Sequence, residues 1–171
     1  MLFRFALPAA VLLGVVASAS AVKADSPLLF PQTPIVIPGG PGGFDYMQLD
    51  GDMYRVMASH PGKTTLVVYD WDKKEVKQLD TDGEVNGIAV DKADNKLFAG
   101  GHGGKVDVFD RTTLAKIDTI TIGGPGDDIV LDKTSDTLWV CHDDGTEDWV
   151  IDAKTDKVLG TAAGKAKRKS M

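Results

Sequence analysis

Residues 87–120 read GIAVDKADNKLFAGGHGGKVDVFDRTTLAKIDTI, and this stretch decides the fold. It contains four short runs rich in β-branched and aromatic residues, separated by clusters of Gly, Asp, Asn and Thr. Such a pattern is typical of four strands joined by tight turns. After the N-terminal residues, no stretch has a sustained apolar period of 3.6 residues, so we expect no helix there. The stretch therefore predicts a four-stranded antiparallel sheet.

The same pattern occurs three times, with a period of about 41 residues. The aspartates that end the first strand of each copy are Asp50, Asp91 and Asp132. Those that end the third strand are Asp70, Asp110 and Asp152. The sequence GGPG at residues 39–42 recurs at residues 123–126, two periods later. Four antiparallel strands in each repeat of about 40 to 45 residues are the signature of a β-propeller blade.

We therefore predict an all-β chain, in which residues 25–161 form a partial β-propeller. Its blades of four antiparallel strands span about residues 44–84, 85–126 and 127–161, and an N-terminal strand lies at about residues 33–38. An all-β sandwich is the alternative architecture, since it also has short strands and frequent turns. The regular repeat favours the propeller.

The middle copy resembles the YVTN-type β-propeller repeat in three segments, Leu97–Gly101, Val106–Asp110 and Arg111–Thr113. The resemblance covers about residues 35–161. It departs from the family at the end of the second strand, where the family usually has Asn and this chain has His. The resemblance implies an exported seven-bladed propeller, related in fold to quinoprotein dehydrogenase subunits. It implies little chemistry, because a fold does not determine a function.

Three blades are fewer than the four to eight with which propellers close. We therefore expect an open arc with apolar blade faces exposed at both ends, from a truncated or frameshifted longer gene. The alternative is closure by self-association, in which two chains supply about six blades. The repeat pattern stops at Gly160, and we expect residues 162–171 to form a disordered basic tail.

The first 24 residues have the features of a secretory signal peptide. Arg4 precedes an apolar run at residues 5–16, which is too short to span a bilayer, and small residues follow it. We expect cleavage after Ala24 and an exported product, periplasmic or secreted. The alternative is an uncleaved membrane anchor. No later stretch is apolar enough to span a membrane, so no span is expected once the leader is removed.

Composition argues against several classes of function. The chain has 25 Asp and Glu residues against 19 Lys and Arg, a net charge of -6, which argues against a nucleic-acid partner. Cys141 is the single cysteine, so an internal disulfide is ruled out, and its position in an apolar run predicts burial in a strand. The sequence has neither a haem-attachment motif nor a cluster of four ligands at metal spacing. No cofactor is predicted, and a metal ion is not favoured.

Polar residues at two repeated positions form the best candidate site. The three histidines of the chain lie at the end of the second strand of each copy: His60, His102 and His142. Polar residues at the start of the first strand stand opposite them: Asp45, Asn86 and Asp127. Antiparallel pairing predicts that each histidine lies near the polar residue of its own blade. Equivalent positions of successive blades would form a ring at the mouth of the central channel.

Two interpretations of this ring remain open. In the functional one, the imidazoles hold a metal ion or a small anionic ligand, oriented by the Asp and Asn side chains. In the structural one, each pair ties the loop after the second strand to the connection between blades. We favour the structural interpretation, because a duplicated blade copies its structural residues.

The sequence predicts a binding or scaffold module that holds a protein, a glycan or a small ligand on this face. No catalytic residue is predicted. The alternative function is a quinoprotein-like or metal-dependent oxidoreductase that uses the histidine ring.

Overall fold

The computed structural model describes residues 33–39 and 42–163 of the chain. Residues 36–163 belong to one compact unit, and residues 33–35 belong to a separate N-terminal unit, in which they form no regular structure. The predicted signal peptide (1–24) and residues 164–171 of the predicted tail lie outside the described residues. Within the described ranges, no helix has the length and apolar character that crossing a membrane requires.

In the described residues, twelve strands form three antiparallel sheets, each with its four strands in sequence order. The first sheet comprises β1 (Met47–Asp50), β2 (Arg55–Ser59), β3 (Thr65–Asp70) and β4 (Glu75–Asp80). The second comprises β5 (Gly87–Asp91), β6 (Lys96–Gly100), β7 (Lys105–Asp110) and β8 (Lys116–Thr121). The third comprises β9 (Gly126–Asp132), β10 (Thr137–His142), β11 (Glu147–Asp152) and β12 (Lys157–Ala163). Among the described residues, one 3-10 turn, Gly51–Met53, is the only helical element.

This architecture confirms the predicted all-β fold of three four-stranded blades. No hydrogen-bonded ladder joins the described sheets to one another, so the propeller is open. The first two strands of each sheet pair in equivalent registers, with Gln48 opposite Met57, Ala89 opposite Phe98 and, in the third sheet, Val130 opposite Trp139.

The turns between the third and fourth strands depend on the aspartates that precede them. Asp110 Oδ1 accepts hydrogen bonds from the backbone N–H groups of Thr112 and Thr113, at 3.0 and 2.6 Å. Asp152 Oδ1 accepts the equivalent bonds from Lys154 and Thr155, at 3.1 and 2.8 Å. These carboxylates satisfy backbone donors that have no strand partner, which is the role the repeat predicts.

The first and second sheets each pack with one face on the next sheet along the chain. We call this face of a sheet, and the equivalent face of the third sheet, its forward face and the opposite one its backward face. At the first joint, Met57 and Val68 on the forward face of the first sheet belong to the same buried cluster as Leu97 and Phe109 on the backward face of the second. Because apolar burial is the main favourable term in folding, this joint stabilises both sheets.

The second joint repeats the first. Phe98 and Val108 on the forward face of the second sheet pack in one core with Leu138 and Ile151 of the third. Phe98 stands one period after Met57, and both side chains are almost fully buried. Trp149 lies in the same core. The apolar centre of the molecule therefore lies between sheets, not within them.

At each joint, the first residue of the second strand is basic and donates hydrogen bonds to the following sheet. We call this residue the latch of the joint. Arg55 donates hydrogen bonds to two backbone carbonyl oxygens in the β7–β8 turn, at 2.6 and 3.2 Å. One period later, Lys96 donates to two carbonyl oxygens at the start of the β11–β12 turn, at 3.0 and 2.8 Å. The equivalent position of the third sheet is Thr137, which has no cationic group.

Buried ion pairs accompany the latches. Arg111, in the β7–β8 turn, donates from Nε and Nη2 to both carboxylate oxygens of Asp50, at 2.6 and 2.7 Å. At the second joint, Lys96 Nζ contacts both oxygens of Asp156, at 2.7 and 2.8 Å. Both pairs thus reach the turn between the third and fourth strands of the following sheet, from the first strand at one joint and from the second strand at the other.

The structure differs from the sequence-based boundaries at two places. Residues 33–37 do not form the strand predicted at 33–38; Pro34 and Pro38 bracket this run and cannot donate to a ladder. The Pro38 carbonyl oxygen instead accepts a hydrogen bond from Gln78 Nε2, at 2.7 Å. At the other end, β12 continues through Gly160 to Ala163, because a bulge opposite Val150 absorbs one extra residue.

Arg111→Ala should lower the free energy of unfolding by about 3 kcal/mol, because it leaves the carboxylate of Asp50 buried without its partner. Urea unfolding followed by circular dichroism measures the loss. Lys92→Ala is the matched control: its pair with Asp52 is close, at 2.7 Å, but exposed, so it should change stability by less than about 1 kcal/mol. Equal losses in the two variants would contradict the importance of the buried pair.

Asp110→Asn should make unfolding less sensitive to acid. Hydrogen bonds from Thr113 and Thr112 hold the pKa of Asp110 below its ordinary value, against a smaller opposing effect of burial. A lowered pKa stabilises the fold above the ordinary aspartate pKa, and this contribution is lost as the pH falls through the folded-state pKa. The wild-type chain should therefore be more stable than the variant near neutral pH.

The difference between the two urea midpoints should shrink as the pH falls from about 7 to about 3. A difference that stays constant over this range would show that the charge of Asp110 does not contribute.

Candidate functional site

The two rims of the sheets differ in charge. We call the rim formed by residues 42–46, 60–64, 81–86, 101–104, 122–125 and 143–146 the loop face. These segments contain five carboxylates, Asp45, Asp82, Glu84, Asp143 and Asp144, against one lysine, Lys63. The strands that begin beside them add Asp127, Asp128, Glu147 and Asp148, against Lys105.

The opposite rim, which we call the turn face, is formed by the six turns at residues 51–54, 71–74, 92–95, 111–115, 133–136 and 153–156. These turns contain five carboxylates, Asp52, Asp72, Asp94, Asp136 and Asp156. They also contain six cationic residues, Lys73, Lys74, Lys92, Arg111, Lys133 and Lys154. The first and last residues of the strands that meet these turns add seven carboxylates and four cations. Among the described residues the turn face is therefore nearly balanced in charge, whereas the loop face, which bears the predicted site residues, has nine carboxylates against two lysines.

His60 is buried, with 2% of its surface exposed. Its ring stacks on Phe44 with centroids 5.1 Å apart, and the backbone at Gly42 lies so close that a Cβ there would collide with Nε2. Neither ring nitrogen has a hydrogen-bond partner among residues 33–39 and 42–163. Asp45, its predicted partner, is exposed and makes no hydrogen bond to it. Apolar and backbone contacts therefore hold this imidazole.

His102 is exposed and lies between two loops. Its Nε2 is 4.0 Å from Glu84 in the connection before β5, and its Nδ1 is 3.8 Å from Asp143 in the β10–β11 loop. Asn86, its predicted neighbour, is half-buried and donates its backbone N–H to Gly100. If the pairing of β5 with β6 continued beyond Gly87 and Gly100, Asn86 would lie opposite residue 101, one position before the histidine.

His142 is half-buried and stacks on Trp149, with ring centroids 4.8 Å apart. Its Nδ1 accepts the backbone N–H of Gly145 at 2.8 Å, which fixes the loop that follows. Asp127 instead lies within 3.4 Å of the Tyr46 hydroxyl, which donates to it from the first sheet. A bulge in β9 places Gly126 opposite the histidine, so the register shifts away from Asp127.

Each histidine thus contacts the connection that enters its own sheet or the loop that follows its own strand. Within the described ranges no hydrogen bond joins the predicted pairs, and no group of three or more His, Cys, Asp or Glu residues is arranged to hold a metal ion. The ligand-binding role of the six residues stays a prediction.

Two clefts open near the loop face. One, of about 390 Å³, lies between the first strands of the three sheets, where its lining includes Tyr46, Ala89, Val90, Asp128 and Ile129. The other, of about 350 Å³, lies beside His142 and Trp149 and is closed on one side by Gly123. A Cβ at Gly123 would lie 3.1 Å from Trp149 Nε1, so the glycine allows the backbone to approach the indole.

Two ionisable side chains near the carboxylates of the loop face have raised pKa values. Burial raises the pKa of Tyr46, and the charges of Asp127, Asp128 and Asp45 raise it further. Burial likewise raises the pKa of the half-buried Cys141 thiol, followed by the effects of Asp148, Asp128 and Asp127. The nearby carboxylates thus add to burial in favouring the protonated form of both groups.

Sequence reasoning missed the aromatic partners of the histidines. Phe44 and Trp149 stack on His60 and His142, but neither lies at a position that strand pairing puts beside its histidine. The repeated GGPG motif was the available signal, because it marks the close backbone approach at both sites.

His60→Leu should leave the free energy of unfolding unchanged or raise it by up to about 1 kcal/mol. The substitution removes two buried nitrogens that have no partner in the described residues, which offsets the lost stacking on Phe44. His142→Leu should lower it by about 1 kcal/mol, because the Gly145 N–H loses its acceptor. Urea unfolding tests both. A loss above about 2 kcal/mol in His60→Leu would show that its nitrogens are bonded in solution.

Neither a protein-family model nor a curated protein sequence matches the chain. Among solved structures, Kuenenia stuttgartiensis hydrazine synthase is similar over 80% of this chain and 40% of its own, with a TM-score of 0.66 and 18% identity. The structure of U3-55K matches over 74% of this chain and 41% of its own, with a TM-score of 0.64 and 9% identity.

The WD40 repeats of RRP9 match over 74% of this chain and 40% of their own, with a TM-score of 0.63 and 9% identity. The chain thus spans about two fifths of each of these three structures. At these identities the likeness concerns the fold alone. The chain is therefore similar in fold to β-propellers of the WD40-like kind.

Proposed function

We propose that this protein is an exported β-propeller module of the YVTN type that binds a protein partner through its loop face. The partner presents a segment rich in Lys or Arg. The proposal depends on one observation: the segments of the loop face contain five carboxylates and one lysine, whereas the six turns of the opposite rim contain five carboxylates and six cations.

The proposals of export and of YVTN type have support from the sequence. Residues 1–24 combine a basic start, a short apolar run and small residues, as secretory leaders do. Two of the segments that resemble the YVTN repeat, Leu97–Gly101 and Val106–Asp110, overlap β6 and β7 of the middle blade.

Charge complementarity would give the interaction its specificity. A surface of one sign attracts a partner of the opposite sign and disfavours others. Asp82 is partly neutralised by Lys116, at 2.8 Å, whereas Asp143 and Asp144 lie exposed in the β10–β11 loop. These two adjacent carboxylates are therefore available to a cationic partner.

The cleft between the first strands could hold the stem of a long basic side chain. Ala89, Val90 and Ile129 line its apolar part, and its charged lining residues are Asp128 and Lys133. Lys and Arg bury their methylene groups along apolar surface and keep the charged end in polar surroundings. The part of the cleft beside Asp128 is therefore where the charged group of a Lys or Arg residue would lie.

The alternative of a metal-dependent or quinoprotein-like oxidoreductase has no comparable support. In residues 33–39 and 42–163 the three histidines have separate surroundings, and no set of three metal-ligating side chains comes together. No specific observation favours this second function.

The binding of a fluorescent octalysine peptide tests the proposal. Fluorescence anisotropy should show saturable binding at low salt that weakens as the salt concentration rises. The double variant Asp143→Lys/Asp144→Lys should weaken binding by about tenfold or more, because it replaces two attractive charges with two repulsive ones.

Asp72→Lys/Asp94→Lys is the matched control, because it changes the net charge equally on the turn face. It should change the affinity by less than about threefold. No binding by the wild-type chain at low salt would overturn the proposal. Equal losses in the two double variants would show that the peptide responds to net charge and not to the loop face.

A further inference from the structure

His102 stands between two acidic loops that belong to different sheets. Its Nε2 is 4.0 Å from Glu84, in the connection that enters the second sheet, and its Nδ1 is 3.8 Å from Asp143, in the β10–β11 loop of the third. The three side chains are 44–45% exposed, so protons from the solvent reach the ring. Both ring nitrogens therefore have a carboxylate beside them.

The two protonation states of this ring differ in how they meet the two carboxylates. A neutral imidazole has one N–H donor and one acceptor nitrogen, so it can donate to one carboxylate and presents a lone pair to the other. An imidazolium has two N–H donors and a positive charge, and it can donate to both. Histidine is the side chain that changes between these forms in the range of about pH 5 to 8.

Other charged side chains lie on the elements around this ring. They are Asp82 in the connection before β5, Lys105 at the start of β7, Asp127 in β9 and Asp144 in the β10–β11 loop. Asp82 accepts from Lys116 at 2.8 Å and lies 4.0 Å from Lys105, and Asp144 lies 3.5 Å from His142. Among the described residues, only the two carboxylates named above lie within 4.0 Å of the ring nitrogens.

We propose that protonation of His102 closes a clamp between two sheets and makes the loop face responsive to pH. The imidazolium donates to Glu84 and Asp143 together, which ties the connection before β5 to the β10–β11 loop. It also neutralises part of the acidic surface. The effect on a cationic partner rests on the proposed function, whereas the clamp itself does not.

The clamp acts on a carboxylate that the partner needs. Asp143 is one of the two adjacent carboxylates that we propose for contact with a Lys or Arg side chain, and an imidazolium beside it competes for the same oxygen atoms. Aspartate and glutamate in general lose their charge only near about pH 4, so they stay charged where histidine becomes protonated. A partner bound near neutral pH should therefore be released in mild acid.

The other two histidines lack this arrangement. His60 is 2% exposed beneath Phe44, and no described carboxylate lies beside its ring nitrogens. His142 accepts the backbone N–H of Gly145 at Nδ1, so protonation of that nitrogen would cost this hydrogen bond. Its neighbour Asp144 belongs to the same loop, so a pair between them joins no second sheet.

Amide hydrogen exchange of the free chain tests the clamp without any ligand. Wild type and His102→Asn are compared at about pH 7.5 and about pH 5.5, because histidine is mostly neutral at the first and mostly charged at the second. At the lower pH the amides of residues 143–146 should exchange about threefold more slowly in the wild type, and at the higher pH the two proteins should agree. Equal exchange of this loop in both proteins at both pH values would overturn the clamp.

The affinity for the octalysine peptide, at constant ionic strength, tests the regulation. Wild-type affinity should fall about fivefold from the higher to the lower pH, because one positive charge appears beside Asp143. His102→Asn should change by less than about twofold over the same range, and His102→Lys should bind weakly at both pH values. His142→Asn is the matched control, and it should keep the wild-type response.

The outcomes separate this inference from the proposed function. Binding with the same affinity at both pH values would overturn the regulation and leave the proposed function standing. A full pH response in His102→Asn would assign the response to another group and overturn the role of His102. No binding at either pH would overturn the proposed function and the regulation with it, and hydrogen exchange would then decide the clamp alone.

Discussion

Each sheet of this protein has apolar side chains on both faces, and a four-stranded sheet can cover neither face by itself. Phe98 on the forward face and Leu97 on the backward face of the second sheet are adjacent in β6, yet they lie in two different cores. The joints between sheets are therefore the units of stability, as in other repeat proteins. The exposed residues at the two ends of the array follow from the same constraint.

Polar contacts at the joints supplement the apolar packing between successive sheets. The pair between Arg111 and Asp50 joins the first strand of one sheet to a turn of the next, whereas the contacts of Lys96 with Asp156 join a second strand to the equivalent turn. Such contacts add geometric restriction, because each joins a strand end of one sheet to a turn of the next.

On the loop face, the histidines at equivalent positions of the three repeats have different neighbouring side chains. His60 lies beneath Phe44, His102 stands between Glu84 and Asp143, and His142 stacks on Trp149. The strands place the three residues alike, and the loops around them differ. In contrast, the surplus of carboxylates is a property of the whole rim. It can attract a cationic partner without a precise arrangement of individual side chains.

The sequence by itself determined the all-β class, the three four-stranded blades and the turn role of residues such as Asp110, because these follow from local periodicity and from backbone hydrogen bonding near each residue. It also placed the histidines on one rim. Only the tertiary structure decided what surrounds them, since the β9 bulge and the close approach of Gly42 arise from packing between segments far apart in the chain. The tertiary structure also decided the latches of the joints and the exposure of Met47 and Val130, because both depend on which face of a sheet packs against another sheet.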